Sequence, residues 1–213
     1  MRSHRGWHLP DHDQHFAGWL DQHPANHYQQ EALDLALQHC AGRNLVLDIG
    51  ANIGLFATRF STVFRSVVCF EPVTTVHDCL KLNVQHASNI IIHKTGLGDH
   101  PGTAVISVPA SSVNCGQYSM VDFAQHTEAI SETVPVQRLD DFDFRPDLIK
   151  MDVQGYEPWV LRGAIQTLTA CSPILMLEVE GKAVRGQIQA VLAPMGYAPV
   201  AAVRHDQIWI KTG

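Results

Sequence analysis

Apolar residues in this chain fall into short dense runs, with amphipathic stretches between them. Leu45-Val46-Leu47-Asp48-Ile49, Val67-Val68-Cys69-Phe70, Ile90-Ile91-Ile92, Leu148-Ile149-Lys150-Met151 and Ile174-Leu175-Met176-Leu177 are nearly unbroken. Runs of that length suit strands buried on both faces of a parallel sheet. Glu31-Ala32-Leu33-Asp34-Leu35-Ala36-Leu37 has helical spacing instead. The pattern predicts a helical region over Phe16–Cys40, strand Asn44–Ile49, helix Gly54–Phe64, strand Ser66–Phe70, helix Thr74–Gln85 and strand Asn89–His93. It continues with strand Thr103–Val108, a long polar excursion over Pro109–Glu132, and strands Val134–Arg138 and Leu148–Met151. Helix Pro158–Thr169, strand Ile174–Val179, helix Lys182–Leu192 and a closing hairpin of Ala198–Val203 with Gln207–Lys211 complete it. Strand–helix alternation ending in a hairpin implies an α/β fold with a mostly parallel sheet and one antiparallel strand.

One stretch carries more than periodicity. Val46-Leu47-Asp48-Ile49-Gly50-Ala51-Asn52-Ile53-Gly54 reads as a strand, a glycine turn and a helix start, and Cys69-Phe70-Glu71-Pro72 as a second strand ending in an acid. Gly50 lets the backbone turn tightly and a ligand approach it. The helix from Gly54 aims free N–H groups at that ligand. Glu71 lies 71 − 50 = 21 residues beyond Gly50, close to the ~20 expected of an acid that binds ribose hydroxyls. A dinucleotide site would place a second glycine where Asn52 stands. A polar side chain there suits a nucleoside without pyrophosphate, such as S-adenosylmethionine, with Asp48 and the turn receiving its amino acid tail. The plain alternative is a tight strand–helix turn that binds no nucleoside.

Composition narrows the setting. The 213 residues, 46% hydrophobic, suffice for one well-buried core. No apolar run has membrane-spanning length, and Met1–Trp7 does not open a signal peptide. The cysteines Cys40, Cys69, Cys79, Cys115 and Cys171 are scattered, without a C-x-x-C, which suits a reducing cytoplasm. A net charge of −6 argues against nucleic acid as the main partner. A homo-oligomer stays open.

The runs Leu47–Gly54, Phe70-Glu71-Pro72, Leu97-Gly98-Asp99, Val136–Phe142, Asp147–Glu157, Val160–Ala164 and Pro173–Glu178, in this order, resemble the FkbM-like family of S-adenosylmethionine-dependent methyltransferases. Asn114, Gly116 and Ser119 resemble the pattern that members carry before the late strands. The resemblance runs from about Glu31 to the C-terminus. It implies a Rossmann-like class I methyltransferase fold, with a seven-stranded sheet and helices on both faces. It also implies methyl transfer, most often to a hydroxyl of a small molecule, sugar or natural product. One departure is Gln154, where the family usually has Glu, which removes an acid from any metal site. The expected organisation is an N-terminal helical segment over 1–40, a candidate lid, and a methyltransferase domain over 41–213. Two other classes compete: a nicotinamide oxidoreductase of related fold, against which Asn52 argues, and a non-catalytic nucleoside-binding module, against which the Asp152–Glu157 block argues.

Ligands of open α/β sheets bind beyond the carboxyl ends of the strands, where Asp48, Glu71, Asp99, Asp152 and Glu178 are expected. Asp48, Gly50, Asn52, Gly54, Glu71 and Pro72 are taken for the cofactor, and Gly98 with Asp99 for the adenine amine. Asp152 is the candidate for acceptor chemistry. Lys150, two residues earlier on a strand, shares its face, and Glu178 is a further base or acceptor ligand. Asn114 and Ser119 are candidate acceptor contacts. Glu157 reads as a capping acid. Six histidines precede residue 28, and His8 and His12 have helical i, i+4 spacing, but no H-E-x-x-H or tight Cys/His set accompanies them. No metal is expected, and the N-terminal stretch reads as a solvated segment.

Overall fold

The computed structural model describes residues 1–23, 25–120 and 129–212. In chain order its elements are β1 (Arg2–His4), β2 (Trp7–Leu9), α1 (His15–Gln22), α2 (Gln30–His39), β3 (Leu45–Ile49), α3 (Leu55–Val63), β4 (Ser66–Phe70), α4 (Thr74–Val84) and β5 (Ile90–His93). Then follow β6 (Gly96–Leu97), β7 (Gly102–Pro109), β8 (Ala129–Gln137), β9 (Leu148–Met151), α5 (Glu157–Arg162), α6 (Ile165–Cys171), β10 (Ile174–Glu178), α7 (Gly181–Leu192), β11 (Tyr197–Val203) and β12 (Asp206–Lys211).

Seven strands build the main sheet in the order β11-β12-β10-β9-β3-β4-β5. Only β12 runs against its neighbours, so the sheet is mostly parallel, as expected. Alternate residues face opposite layers. Leu47, Ile149 and Leu177 pack with Val160, Leu168 and Ile188 from α5–α7. Val46, Val67 and Leu148 pack with Ala36, Phe60 and Leu80 from α2–α4. The chain winds outward from β3 in one direction and from β9 in the other. The gap between those strand ends is the topological switch point, where ligands of such sheets bind.

Three features depart from the sequence expectation. The single helix over Pro158–Thr169 is two helices, α5 and α6. At the break, a Cβ on Gly163 would lie 2.0 Å from the Gly98 carbonyl oxygen, so the backbones touch there. Asp140 accepts from the N–H groups of Gln166 and Thr167 and from the Thr167 hydroxyl, capping α6 from outside.

The first nine residues also form no helix, because β1 and β2 pair as a hairpin, although Met1–Ser3, Arg5 and Gly6 are exposed as expected. The Asn83 side chain accepts from the His8 N–H at 2.7 Å and donates to its carbonyl at 3.0 Å. His8 lies in β2, so His8 and His12 do not share a helix. Leu9, Phe16 and Leu20 are buried with Ile53, Val76 and Ile106 in a third cluster. Lastly, the strands near 103–108 and 134–138 pair with each other as β7 and β8, with β6 alongside, in a separate three-stranded sheet. Glu132 on β8 accepts from the N–H and hydroxyl of Thr74 at the start of α4, which ties this sheet to the main layer. Part of the polar excursion, 121–128, lies outside the described residues.

Candidate functional site

Sheet register assembles the polar rim. Asp48 on β3 faces Lys150 on β9, which faces Met176 on β10 and then Ile208 on β12. Two positions nearer the rim on the same sheet face stand Asp152, Glu178 and Asp206. The Lys150 Nζ is 3.4 Å from Asp48 Oδ1 and 4.0 Å from Asp152 Oδ2. It donates to the Gly50 carbonyl at 3.0 Å and lies 5.2 Å from the centre of the Phe56 ring. Burial pushes its pKa down, but Asp48 first, then Asp152 and Glu178, outweigh that and hold it above the usual lysine value. Lys150 is therefore an ammonium. Burial pushes the Asp48 carboxyl up, and the charge of Lys150 opposes the rise.

Gln154 ties the outer acids together. Its backbone is left-handed, with φ of 55°. Its side-chain amide donates to Asp152 Oδ1 at 2.8 Å and to Glu178 Oε2 at 2.6 Å. Burial and then the neighbouring Asp152 charge push Glu178 up to about 9. Two carboxyls so close cannot both ionise cheaply, so Glu178 holds a proton at neutral pH. Burial raises Asp206 to about 6, again with Asp152 adding to the effect.

The glycine turn lies on the other side of Asp152. Gly50 has φ of 73°, and a Cβ there would sit 1.9 Å from the Asp152 carbonyl oxygen, so only glycine lets the ends of β3 and β9 meet. Asn52 also adopts left-handed φ, at 51°, and its N–H donates to Glu71 Oε2 at 3.0 Å. The Val73 N–H donates to Glu71 Oε1 at 3.0 Å. Glu71 is 6% exposed. Burial pushes its pKa up to about 7 against the pull of these two bonds.

Two cavities flank this turn. The first has walls that include Phe70, Glu71, Pro72, Leu97, Ile106 and Tyr156. The second is more polar, with Tyr28, Phe56, Asn114, Lys150, Glu178 and Glu180 among its walls. Gly50, Asn52, Gly116, Asp152 and Gln154 border both. The rim thus brings together Gly50, Asn52, Glu71, Pro72, Asp152, Lys150, Glu178 and Asn114.

Five of the sequence candidates lie on neither wall. Asp48 is fully buried behind Lys150. Gly54 starts α3 and packs towards Leu80. Gly98 and Asp99 pass behind the cavity against Gly163, and the Asp99 carboxylate lies 2.9 Å from the His100 ring. The buried Ser119 hydroxyl donates to the Gln154 carbonyl at 2.8 Å. Glu157 accepts from the N–H groups of Val153 and Gly155, so it shapes the loop after Asp152.

The pattern along the chain does not point to Tyr28, Glu180 or Asp206. Asp206 had a signal: an antiparallel strand begins at the rim where its parallel neighbours end. Tyr28 had none, since it reaches the site through tertiary packing alone. Among the described residues, no group of three or more His, Cys, Asp or Glu is placed to hold a metal ion.

The profile for the methyltransferase FkbM domain matches residues 48–208. The chain belongs to the FkbM family of S-adenosylmethionine-dependent methyltransferases. This sets aside the nicotinamide reading. The FkbM methyltransferase of Methylobacillus flagellatus KT shares its fold, with a TM-score of 0.54, 20% identity, and coverage of 79% of this chain and 43% of that one. The chain therefore spans less than half of that protein. A ribosomal protein L11 methylase from Lactobacillus delbrueckii subsp. bulgaricus matches with a TM-score of 0.53 and 13% identity, over 89% of this chain and 81% of its own. A precorrin-6y C5,15-methyltransferase from Geobacter metallireducens GS-15 matches at 0.52 and 14%, over 85% and 86%. No curated protein matches the sequence. Among the described residues no helix is long and apolar enough to cross a membrane.

The first cavity of this FkbM domain fits the donor. Each Glu71 oxygen accepts one backbone N–H, which leaves a lone pair on each for two neighbouring ribose hydroxyls. Phe70, Leu97, Ile106 and Tyr156 offer apolar surface for a base.

Proposed function

We propose that this protein methylates a hydroxyl oxygen on an electrically neutral, hydroxyl-rich acceptor, a small molecule or glycan, in the cytoplasm. One observation carries this reading: the cofactor cavity and the polar cavity meet at Asp152. When bound, S-adenosylmethionine supplies an electrophilic methyl carbon, whose bonding pair stays with sulfur as the acceptor oxygen attacks. Asp152 stands at the junction and takes the hydroxyl proton. Gln154 holds Asp152 and Glu178 in place, and Lys150 anchors the turn through the Gly50 carbonyl. Positioning of this kind, with a general base, is most of what the reaction requires of a protein.

The charge of the polar cavity supports a neutral acceptor. Among the described residues, Asp152 and Glu180 line it beside the protonated Glu178, and its lining cation, Lys150, is already engaged by Asp48. An acceptor bearing phosphate or carboxylate would meet like charge. Asn114, Gln117 and Gln154 offer amides for hydroxyls, and Tyr28 and Phe56 offer ring faces. The free cysteines, four of them buried, suit a reducing compartment. The test is purified protein with S-adenosylmethionine and matched neutral and phosphorylated sugars, following S-adenosylhomocysteine release. Turnover confined to phosphorylated acceptors would overturn the neutral assignment. Tight S-adenosylhomocysteine binding with no turnover across a broad panel would favour a binding module.

A further inference from the structure

The family match begins at residue 48, yet the walls of the polar cavity include Phe16 and Tyr28. An element outside the shared domain therefore completes the site, and it is attached through a buried carboxylate. Asp13 is fully buried. Its Oδ1 accepts from the Phe16 N–H at 2.8 Å, and its Oδ2 from the Cys115 N–H at 2.8 Å, 102 residues away. The N–H groups of Gln14 and His15 both donate to the Val113 carbonyl. Helix α1 is thus latched by its first turn to the loop that supplies Asn114, Gly116 and Gln117 to the polar cavity.

The same loop leads to the cofactor side. Cys115, Gly116, Tyr118 and Met120 line the cofactor cavity. The Cys115 thiol donates to Asn52 Oδ1 at 3.3 Å, and the Asn52 N–H donates to Glu71. A continuous chain of contacts runs from Asp13 through Cys115 and Asn52 to Glu71. Tyr28 is set by its own ties. Its carbonyl accepts from Arg59 on α3, and its ring packs edge-on against Phe16 and Trp19.

We infer that Asp13 is a positioning residue: it latches α1 over the acceptor cavity and couples this cover to the cofactor turn through Cys115 and Asn52. Phe16 and Tyr28 then form an acceptor-facing surface contributed from outside the shared domain. The inference rests on the reading of the two cavities given above. Coupling is reciprocal, so whatever the latch does for the cofactor turn, cofactor binding does for the latch.

Hydrogen exchange on the full chain tests this, with S-adenosylhomocysteine as the probe. Saturating probe should slow amide exchange in 15–22 by about tenfold, within the usual range for coupled sites. Asp13→Asn keeps the shape but replaces one acceptor oxygen with a donor. It should still melt cooperatively and bind the probe no more than about tenfold more weakly, the reciprocal of the lost coupling, while protection of 15–22 falls below about twofold. A purely structural role would instead raise exchange with and without probe equally, and that outcome overturns the latch. Should Asp13→Asn fail to fold, Cys115→Ala keeps every backbone group and removes only the thiol link, and it should lose the same protection. Undiminished protection in whichever variant folds overturns the inference. So does wild-type protein that binds the probe with no change in 15–22. Absence of probe binding altogether would instead remove the cavity assignment on which the latch depends.

Discussion

Asp48 and Lys150 stand opposite each other on adjacent parallel strands, the ammonium 3.4 Å from Asp48 Oδ1 and neither side chain more than 6% exposed. The chain pattern alone points Asp48 to the cofactor and Lys150 to Asp152. The pairing instead makes Asp48 the counter-ion that keeps Lys150 charged while Lys150 grips the Gly50 carbonyl. The acid of the glycine-turn signature thus acts from behind the cavity wall.

Lys150→Met should leave Asp48 as an uncompensated buried acid. Breaking one half of a buried pair costs about 3–5 kcal/mol. Replacing both with apolar residues, Asp48→Leu with Lys150→Met, should recover much of that. Urea denaturation of the single and double variants measures it. A single variant as stable as wild type would show that the pair contributes nothing.

Asp152→Asn should lower turnover by ~10²-fold or more, in the range of lost general-base catalysis, with S-adenosylhomocysteine affinity little changed. If Asp152 is only a rim acid, the melting temperature should fall and turnover per folded molecule should persist. Both quantities can be read on one sample once an acceptor is in hand.

Cofactor affinity should depend on Glu71 ionisation. Its carboxyl is pushed up to about 7 by burial, against the Val73 and Asn52 N–H groups. The carboxylate is the better acceptor for ribose hydroxyls, so affinity should weaken as pH falls through about 7. Glu71→Gln should bind at least ~tenfold more weakly at pH 8, since bonds to a charged acceptor are worth ~1.5–3 kcal/mol, and should lose the pH dependence. Calorimetry at pH 6–8 decides it.

Stability of the ligand-free protein should move the other way. Burial is the leading cause that raises Glu71 and Glu157 to about 7, Asp206 to about 6 and Glu178 to about 9. Between their ordinary values and these, the folded state holds more protons than the unfolded one. Their contribution is complete below the unfolded carboxylate range and is lost as pH rises through the folded values, so stability should fall from about pH 5 to pH 9. Thermal melts across that range test the sign, and Glu178→Gln should flatten the upper part.

Gly50→Ala should cost both fold and cofactor, because its Cβ would sit 1.9 Å from the Asp152 carbonyl at a left-handed φ of 73°. Separating β3 from β9 moves Asp152 itself. S-adenosylhomocysteine affinity should drop at least ~tenfold, and the melting temperature by several degrees, as for a loss of about 1–3 kcal/mol.

The pattern along the chain is enough to read the main-sheet strands, the glycine turn and the acid that follows β4. Each is local: an apolar run for a buried strand, a glycine before a helix, a residue at a strand's end. It could not show that the helix after Asp152 breaks at Gly163, since the cause is the Gly98 backbone arriving from 65 residues away. Nor could it place Asp48 behind the wall, because one register step between β3 and β9 decides whether a side chain faces a lysine or a ligand. Asp206 and Tyr28 reach the rim by strand reversal and by packing of the N-terminal segment. Asp13 becomes a latch only because the fold carries Cys115 to it. Patterns along a chain record what a residue's neighbours in sequence demand. Charge pairing, cavity walls and the packing of α1 beside the polar cavity depend on distances that only the folded backbone sets.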